Sequence, residues 1–110
     1  MKTQQQLRIE AIRLAILQVL SVAPSFEASQ FLLWQAIPHF GSRASTDSVM
    51  TELCWLEEQG MINLDHIDQV WLARVTDRGR DIAIGRARVP GVQAPAPSQL
   101  RALLPPPEKS

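Results

Sequence analysis

The sequence predicts a mainly α-helical fold with one small β-hairpin, and three observations support this fold class. Apolar residues recur every three to four positions over residues 4–22, as on one side of an amphipathic helix. Two more helical segments follow, separated only by a short turn at residues 41–44. Two segments rich in β-forming residues come directly after the third helix. This order is that of a winged helix-turn-helix domain, which requires residues 61–75 to form the hairpin and neither a helix nor part of a larger sheet.

Capping residues and helix breakers set the bounds of four predicted helices. Ser29, Ser45 and Thr76 can each accept a hydrogen bond from a first-turn amide, so they are predicted N-caps. Pro24 ends the first helix, and Gly60 follows the third helix at a position where a left-handed residue is common. The predicted helices cover residues 4–22, 30–39, 46–59 and 77–86.

The predicted hairpin has strands at residues 61–64 and 69–75, joined by a polar turn at residues 65–68. The second strand is the richer of the two in β-branched and aromatic residues. Because this hairpin follows the third helix directly, it is the predicted wing.

The composition changes at residue 89, since six of the eight prolines fall within the last 22 residues. A segment of this kind buries too little apolar area to order itself, so we expect a flexible, proline-rich tail. The expected organisation is a winged helix-turn-helix domain at residues 1–88 and a tail at residues 89–110. Within the tail, residues 99–104 could form one amphipathic turn on a partner.

Two runs that flank the predicted hairpin resemble known proteins. Residues 56–62 join a helix to a strand through Gly60, and residues 75–79 contain a threonine, two residues and a glycine. In these runs the sequence resembles winged-helix regulators of the ArsR and MarR type, over about residues 7–86. Metal sensing is not implied, because the paired sensor cysteines of the metal-responsive ArsR members are absent and Cys54 is the single cysteine.

A narrower resemblance involves three other stretches. At Phe40-Gly41, residues 53–60 and residues 85–92, the sequence is similar to small winged-helix proteins encoded in Mu-like prophages. This resemblance implies a phage or prophage source and supplies no settled activity.

Charge is distributed unevenly although the formal net charge is zero. Residues 1–85 hold seven basic and ten acidic side chains, a net charge of −3. Residues 86–110 hold four basic side chains and one acidic side chain, a net charge of +3. Since DNA-binding affinity comes largely from neutralised phosphates, the acidic charge of the predicted domain argues against tight DNA binding.

Catalysis, cofactors and metal binding have little basis in the sequence. It contains no glycine-rich phosphate loop, no HExxH run and no nucleophile elbow. Cys54, His39 and His66 do not have the spacing of a metal site. No apolar run approaches the roughly 20 residues of a membrane span, and the N-terminus does not resemble a signal peptide. We therefore expect a non-enzymatic protein without cofactors, in the cytoplasm of a bacterial host cell.

The first functional hypothesis is a phage or prophage transcriptional regulator that binds double-stranded DNA, as a homodimer through the first helix. The amino end of the third helix can contact phosphate through backbone amides and hydroxyls. Three arginines beside the wing can contact further phosphates, or can pair with Asp77 and Asp81 instead. Burial of the first helix within one chain would explain its apolar residues without a dimer. The candidate DNA-binding residues are Arg43, Ser45, Thr46, Ser48, Thr51, Arg74, Arg78 and Arg80.

The second hypothesis is a protein-interaction module for phage assembly, packaging or host-factor binding. The third helix has no Arg or Lys, which major-groove readers usually present to base edges. Trp55, Glu52 and Glu58 are the candidate partner-binding residues, with Trp55 as an exposed hot spot. Packing of Trp55 under the wing or against the second helix is the alternative.

Overall fold

A computed structural model describes residues 1–103, with side chains through residue 101. These residues form a mostly helical domain with one small antiparallel sheet. Short 3-10 turns at Pro24–Phe26 and Ile37–Phe40 precede and follow the second helix. In chain order the elements are α1 Gln4–Val22, β1 Glu27–Ser29, α2 Gln30–Ala36, α3 Thr46–Glu58, β2 Ile62–Ile67, β3 Val70–Val75, α4 Asp77–Ala83 and α5 Pro97–Leu103. No helix among residues 1–103 is both long and apolar enough to span a membrane.

The three predicted N-caps are confirmed. Ser29 accepts the amide of Leu32 at 3.3 Å, and Ser45 accepts that of Ser48 at 3.1 Å. Thr76 accepts the amide of Gly79 at 3.1 Å. Each cap satisfies an amide that has no partner within its own helix, which fixes where the helix begins.

Two helices end earlier than predicted. The segment predicted as one helix over residues 30–39 is α-helical only to Ala36 and continues as a 3-10 turn, because Pro38 cannot donate a helical hydrogen bond. The helix predicted over residues 77–86 ends at Ala83, since Gly85 adopts a left-handed φ of 81°.

The sheet has three strands in the order β1-β3-β2, so residues 61–75 are part of a larger sheet, and the prediction that they form a hairpin alone was wrong. Within the sheet, β2 and β3 still pair as a hairpin. β1 was missed because it has only three residues, and it pairs antiparallel with β3. The predicted turn at residues 65–68 was also too long. Asp65, His66 and Ile67 continue β2, and the turn consists of Asp68 and Gln69. Polar side chains in β2 mark its solvent-facing positions and not a loop.

The core surrounds α1, whose residues from Ile12 to Leu20 are buried except for Arg13. α1 packs against α3, α4 and the sheet, with Ile16, Leu17 and Leu20 fully enclosed. Burial within one chain therefore accounts for the apolar residues between Ile12 and Leu20, whereas Leu7 and Val22 are exposed.

Residues 89–93 lie against the domain, although the sequence predicts a flexible tail from residue 89. Val92 is only 8% exposed, and the Gln93 amide donates to the carbonyl of Glu10 at 3.3 Å. The predicted amphipathic turn at residues 99–104 falls largely within α5. Leu104 and residues 105–110 lie outside the described part of the chain.

Candidate interaction surface

The buried side of α3 holds the helix in the core and fixes which side chains face outward. Val49, Leu53 and Leu56 are buried and form one apolar stripe along the helix. Glu52 also faces inward and is 5% exposed, with its carboxylate 2.7 Å from Nε of Arg13 on α1. Glu52 was expected on the partner-binding surface, but its burial and its ion pair remove it from that surface.

Trp55 is half-buried and contacts α1 and the segment after α4. The Arg13 guanidinium lies 3.6 Å from the centroid of a Trp55 ring, a cation-π geometry. The ring also approaches Gly91 so closely that a Cβ at residue 91 would lie 2.9 Å from two ring carbons. Trp55 is thus not a fully exposed hot spot, and it packs on Arg13 of α1 and beside Gly91.

The outward side of α3 is acidic. Asp47, Thr51, Cys54 and Glu58 are exposed at spacings of three and four residues, which places them on one side of the helix. These four residues are called the α3 face below. Residues 46–59 contain no Lys or Arg, so the negative charge of this face has no compensation from its own helix.

Acidic side chains continue from α3 into the hairpin. The exposed carboxylate of Glu57 accepts the amide of Leu64 at 2.8 Å, which ties the end of α3 to the outer edge of β2. Asp65 and Asp68 are exposed near the tip of the hairpin. Glu57 thus holds the hairpin beside the α3 face, and both present negative charge.

Two of the predicted phosphate-binding residues at the start of α3 already have hydrogen-bond partners within the chain. The Ser45 hydroxyl caps the helix and lies 2.9 Å from the Ser48 hydroxyl, so both side chains already have partners in the chain. Thr46 and Thr51 are exposed, and neither is the N-cap of the helix. Arg43 is exposed in the turn before the helix.

Arg8 of α1 lies near this end of α3, which the sequence did not indicate. Arg8 and Arg43 line the same shallow groove, and Arg8 also lines a groove with Asp47, Ser48 and Thr51. Residues 8 and 43 are far apart in the sequence, and no local pattern brings them together. The structure thus adds a second arginine to the predicted Arg43.

The three arginines predicted to contact phosphates beside the wing differ in their surroundings. Arg74 pairs with Glu27 of β1 at 2.9 Å, rather than with the expected Asp77 or Asp81. The Arg80 guanidinium lies 4.2 Å from the centroid of the Phe26 ring. Arg78 is exposed on α4. Two of the three side chains therefore already contact other parts of the chain.

Comparisons with known proteins found two relatives. The chain is 35% identical over 71 residues to the uncharacterized protein gp26 of Escherichia phage Mu, covering 64% of this chain and 74% of the relative. It is 33% identical over 84 residues to an uncharacterized protein of Haemophilus influenzae, covering 71% of this chain and 81% of the relative. No family model and no solved structure matches. The expected relationship to a phage protein is confirmed.

Proposed function

This chain belongs to the family of the phage Mu protein gp26, and from that premise we propose that it is a winged-helix protein-interaction module of phage origin. Its α3 face binds a basic surface of a partner protein. Roles in phage assembly, packaging or host-factor binding all fit a small module of this kind.

The order of the elements favours a winged-helix scaffold. α2 and α3 are joined by a 3-10 turn and a short loop, and β2 follows α3 after three residues. β1 enlarges the sheet beyond the expected hairpin. β1 has only three residues and pairs with β3, so β2 and β3 remain a hairpin that follows α3 directly in the chain. The Glu57 carboxylate, which accepts the Leu64 amide, supports a shared surface of α3 and the hairpin.

The charge of this surface is the observation that carries the proposal. Asp47 and Glu58 on the α3 face, together with Asp65 and Asp68 on the hairpin, are exposed carboxylates. Duplex DNA is densely anionic and is repelled by such a surface, whereas a basic protein surface is attracted to it. The chemistry of α3 therefore favours a cationic protein partner over base reading.

Charge reversal on the α3 face tests the proposal. Tagged protein is recovered from host cells during phage development after crosslinking, and bound proteins are identified by mass spectrometry. A partner with a basic contact surface is expected with the wild type and is expected to be lost with Asp47→Lys or Glu58→Lys. Asp77→Lys is the matched control, because Asp77 is also exposed in the first turn of a helix. Equal loss of the partner with the Asp77 variant would refute the role of the α3 face.

Binding of double-stranded DNA, as a transcriptional regulator, is a second candidate that a different observation favours. Arg8 and Arg43 lie together beside the amino end of α3, where helix amides favour anions. A salt titration with generic duplex DNA separates the two functions. Regulation by DNA binding predicts affinity that falls steeply with salt and is lost in Arg43→Glu and Arg78→Glu. A protein module predicts no binding at moderate salt.

A further inference from the structure

The tip of the β2-β3 hairpin exposes an apolar pair. Ile67 and Val70 face each other across the two strands, immediately before and after the two-residue turn. They are 61% and 37% exposed, on the side of the hairpin that faces away from the core. Asp65 and Asp68 beside them are also exposed. The tip therefore combines two apolar side chains with two carboxylates.

A groove of about 670 Å³ lies elsewhere on the molecule. Its walls come from Lys2, the first half of α1, the end of α4 and the segment 87–94. Leu7, Ile82 and Val92 contribute apolar surface, and Leu7 is 52% exposed although it lies on the core helix. No residue of the hairpin lines this groove.

The charged residues of the groove complement those of the hairpin tip. Lys2 and Arg88 line the groove together with one acid, Glu10. Glu10 already accepts a hydrogen bond from Lys2 at 2.6 Å, which leaves Arg88 as the uncompensated charge among the lining residues. The groove is thus apolar with net positive charge, whereas the tip is apolar with net negative charge.

We propose that the hairpin tip of one copy of this protein docks into the groove of a second copy. Ile67 and Val70 enter the apolar groove, and Asp68 approaches Arg88. Because the tip and the groove share no residues, the contact is head-to-tail, and each pair of bound copies leaves one tip and one groove free. Assembly can therefore extend to a ring or a chain. The inference shares Asp65 and Asp68 with the acidic surface of the proposed function, but its test changes Ile67 and Leu7, which are not part of that acidic surface.

Self-association of the purified full-length chain provides the test. Sedimentation equilibrium is measured from about 10 µM to about 1 mM, because a contact of this small area is expected to be weak. The average mass is expected to rise with protein concentration and to rise less at high salt. Ile67→Asp at the tip and Leu7→Asp in the groove are each expected to raise the dissociation constant by roughly tenfold to a hundredfold.

Mixing the two variants distinguishes a head-to-tail contact from a symmetric one. The Ile67 variant keeps an intact groove and the Leu7 variant keeps an intact tip, so an equimolar mixture is expected to form heterodimers that grow no further. Val22→Asp is the control, since Val22 is similarly exposed at the far end of α1. Arg88→Glu replaces the Leu7 variant if circular dichroism shows that Leu7→Asp unfolds. A monomer at all concentrations, or a mixture that stays monomeric, overturns the proposal.

Discussion

Two buried glutamines show how the same residue type can have opposite effects on stability. Gln18 of α1 is fully buried, and neither its Nε2 nor its Oε1 has a hydrogen-bond partner among the described residues. Leaving such a group unsatisfied costs about 1–3 kcal/mol. Gln18→Met, which keeps the volume and removes the amide, is expected to raise the free energy of unfolding by about that amount. Urea denaturation at an unchanged m-value measures it.

Gln30 provides the matched control for that substitution. It is also buried, but its Nε2 donates to the carbonyl of Gln69 and its Oε1 accepts the amide of Trp71, both at 2.8 Å. The side chain thereby satisfies the edge of β3 where β1 has ended. Gln30→Met is expected to lower the free energy of unfolding by about 1–3 kcal/mol, because two hydrogen bonds to the backbone, each worth about 0.5–1.5 kcal/mol, are lost. If both substitutions changed the free energy of unfolding equally, burial of the glutamine and not its hydrogen bonding would determine the effect.

At the scale of elements, α4 packs on the start of the hairpin through a glycine. A Cβ at residue 79 would overlap the carbonyl oxygen of Met61 and lie 2.7 Å from Cγ2 of Val75. Alanine gains about 1 kcal/mol of helix propensity over glycine, but overpacking against backbone costs about 1–3 kcal/mol. Gly79→Ala is therefore expected to lower the melting temperature, as calorimetry can measure. Stabilisation by this change would show that α4 can move away from β2 without loss.

The elements that the sequence predicted correctly are those fixed by interactions between residues close together in the sequence. Ser45 and Thr76 cap helices within their own first turns, so short-range patterns were sufficient to find α3 and α4. β1 has no such signal, because Glu27 is 47 positions from the Arg74 to which it is bonded. Glu52 was assigned to the exposed side for the same reason, since its partner Arg13 is 39 positions away. The pairing of β1 and the burial of Glu52 therefore depend on contacts between residues far apart in the sequence, which short-range patterns do not show.

At the scale of the whole molecule, one side chain connects three segments. The Arg13 guanidinium donates to the Glu52 carboxylate at 2.7 Å and to the Gly91 carbonyl at 2.9 Å, and it stacks on Trp55. α1, α3 and the segment after α4 therefore meet at a largely buried ion pair. The orientation of the α3 face depends on this junction, because Glu52 and Trp55 are on the same helix as that face.

Removing Arg13 tests how strongly this junction holds the molecule together. Arg13→Met leaves the Glu52 carboxylate buried without its charge partner, and breaking such a pair costs about 3–5 kcal/mol. Arg8→Met, at an exposed position of the same helix, is expected to change stability by less than about 0.5 kcal/mol. In a Trp34→Phe, Trp71→Phe background, Arg13→Met is also expected to shift Trp55 fluorescence to the red, since the ring loses its contact with the guanidinium.

Arg13→Met combined with Glu52→Met is expected to recover part of the lost stability, because no unpaired charge remains buried. A double variant no more stable than Arg13→Met alone would show that the contacts of Arg13 with Gly91 and Trp55, and not the ion pair, hold α1 to α3.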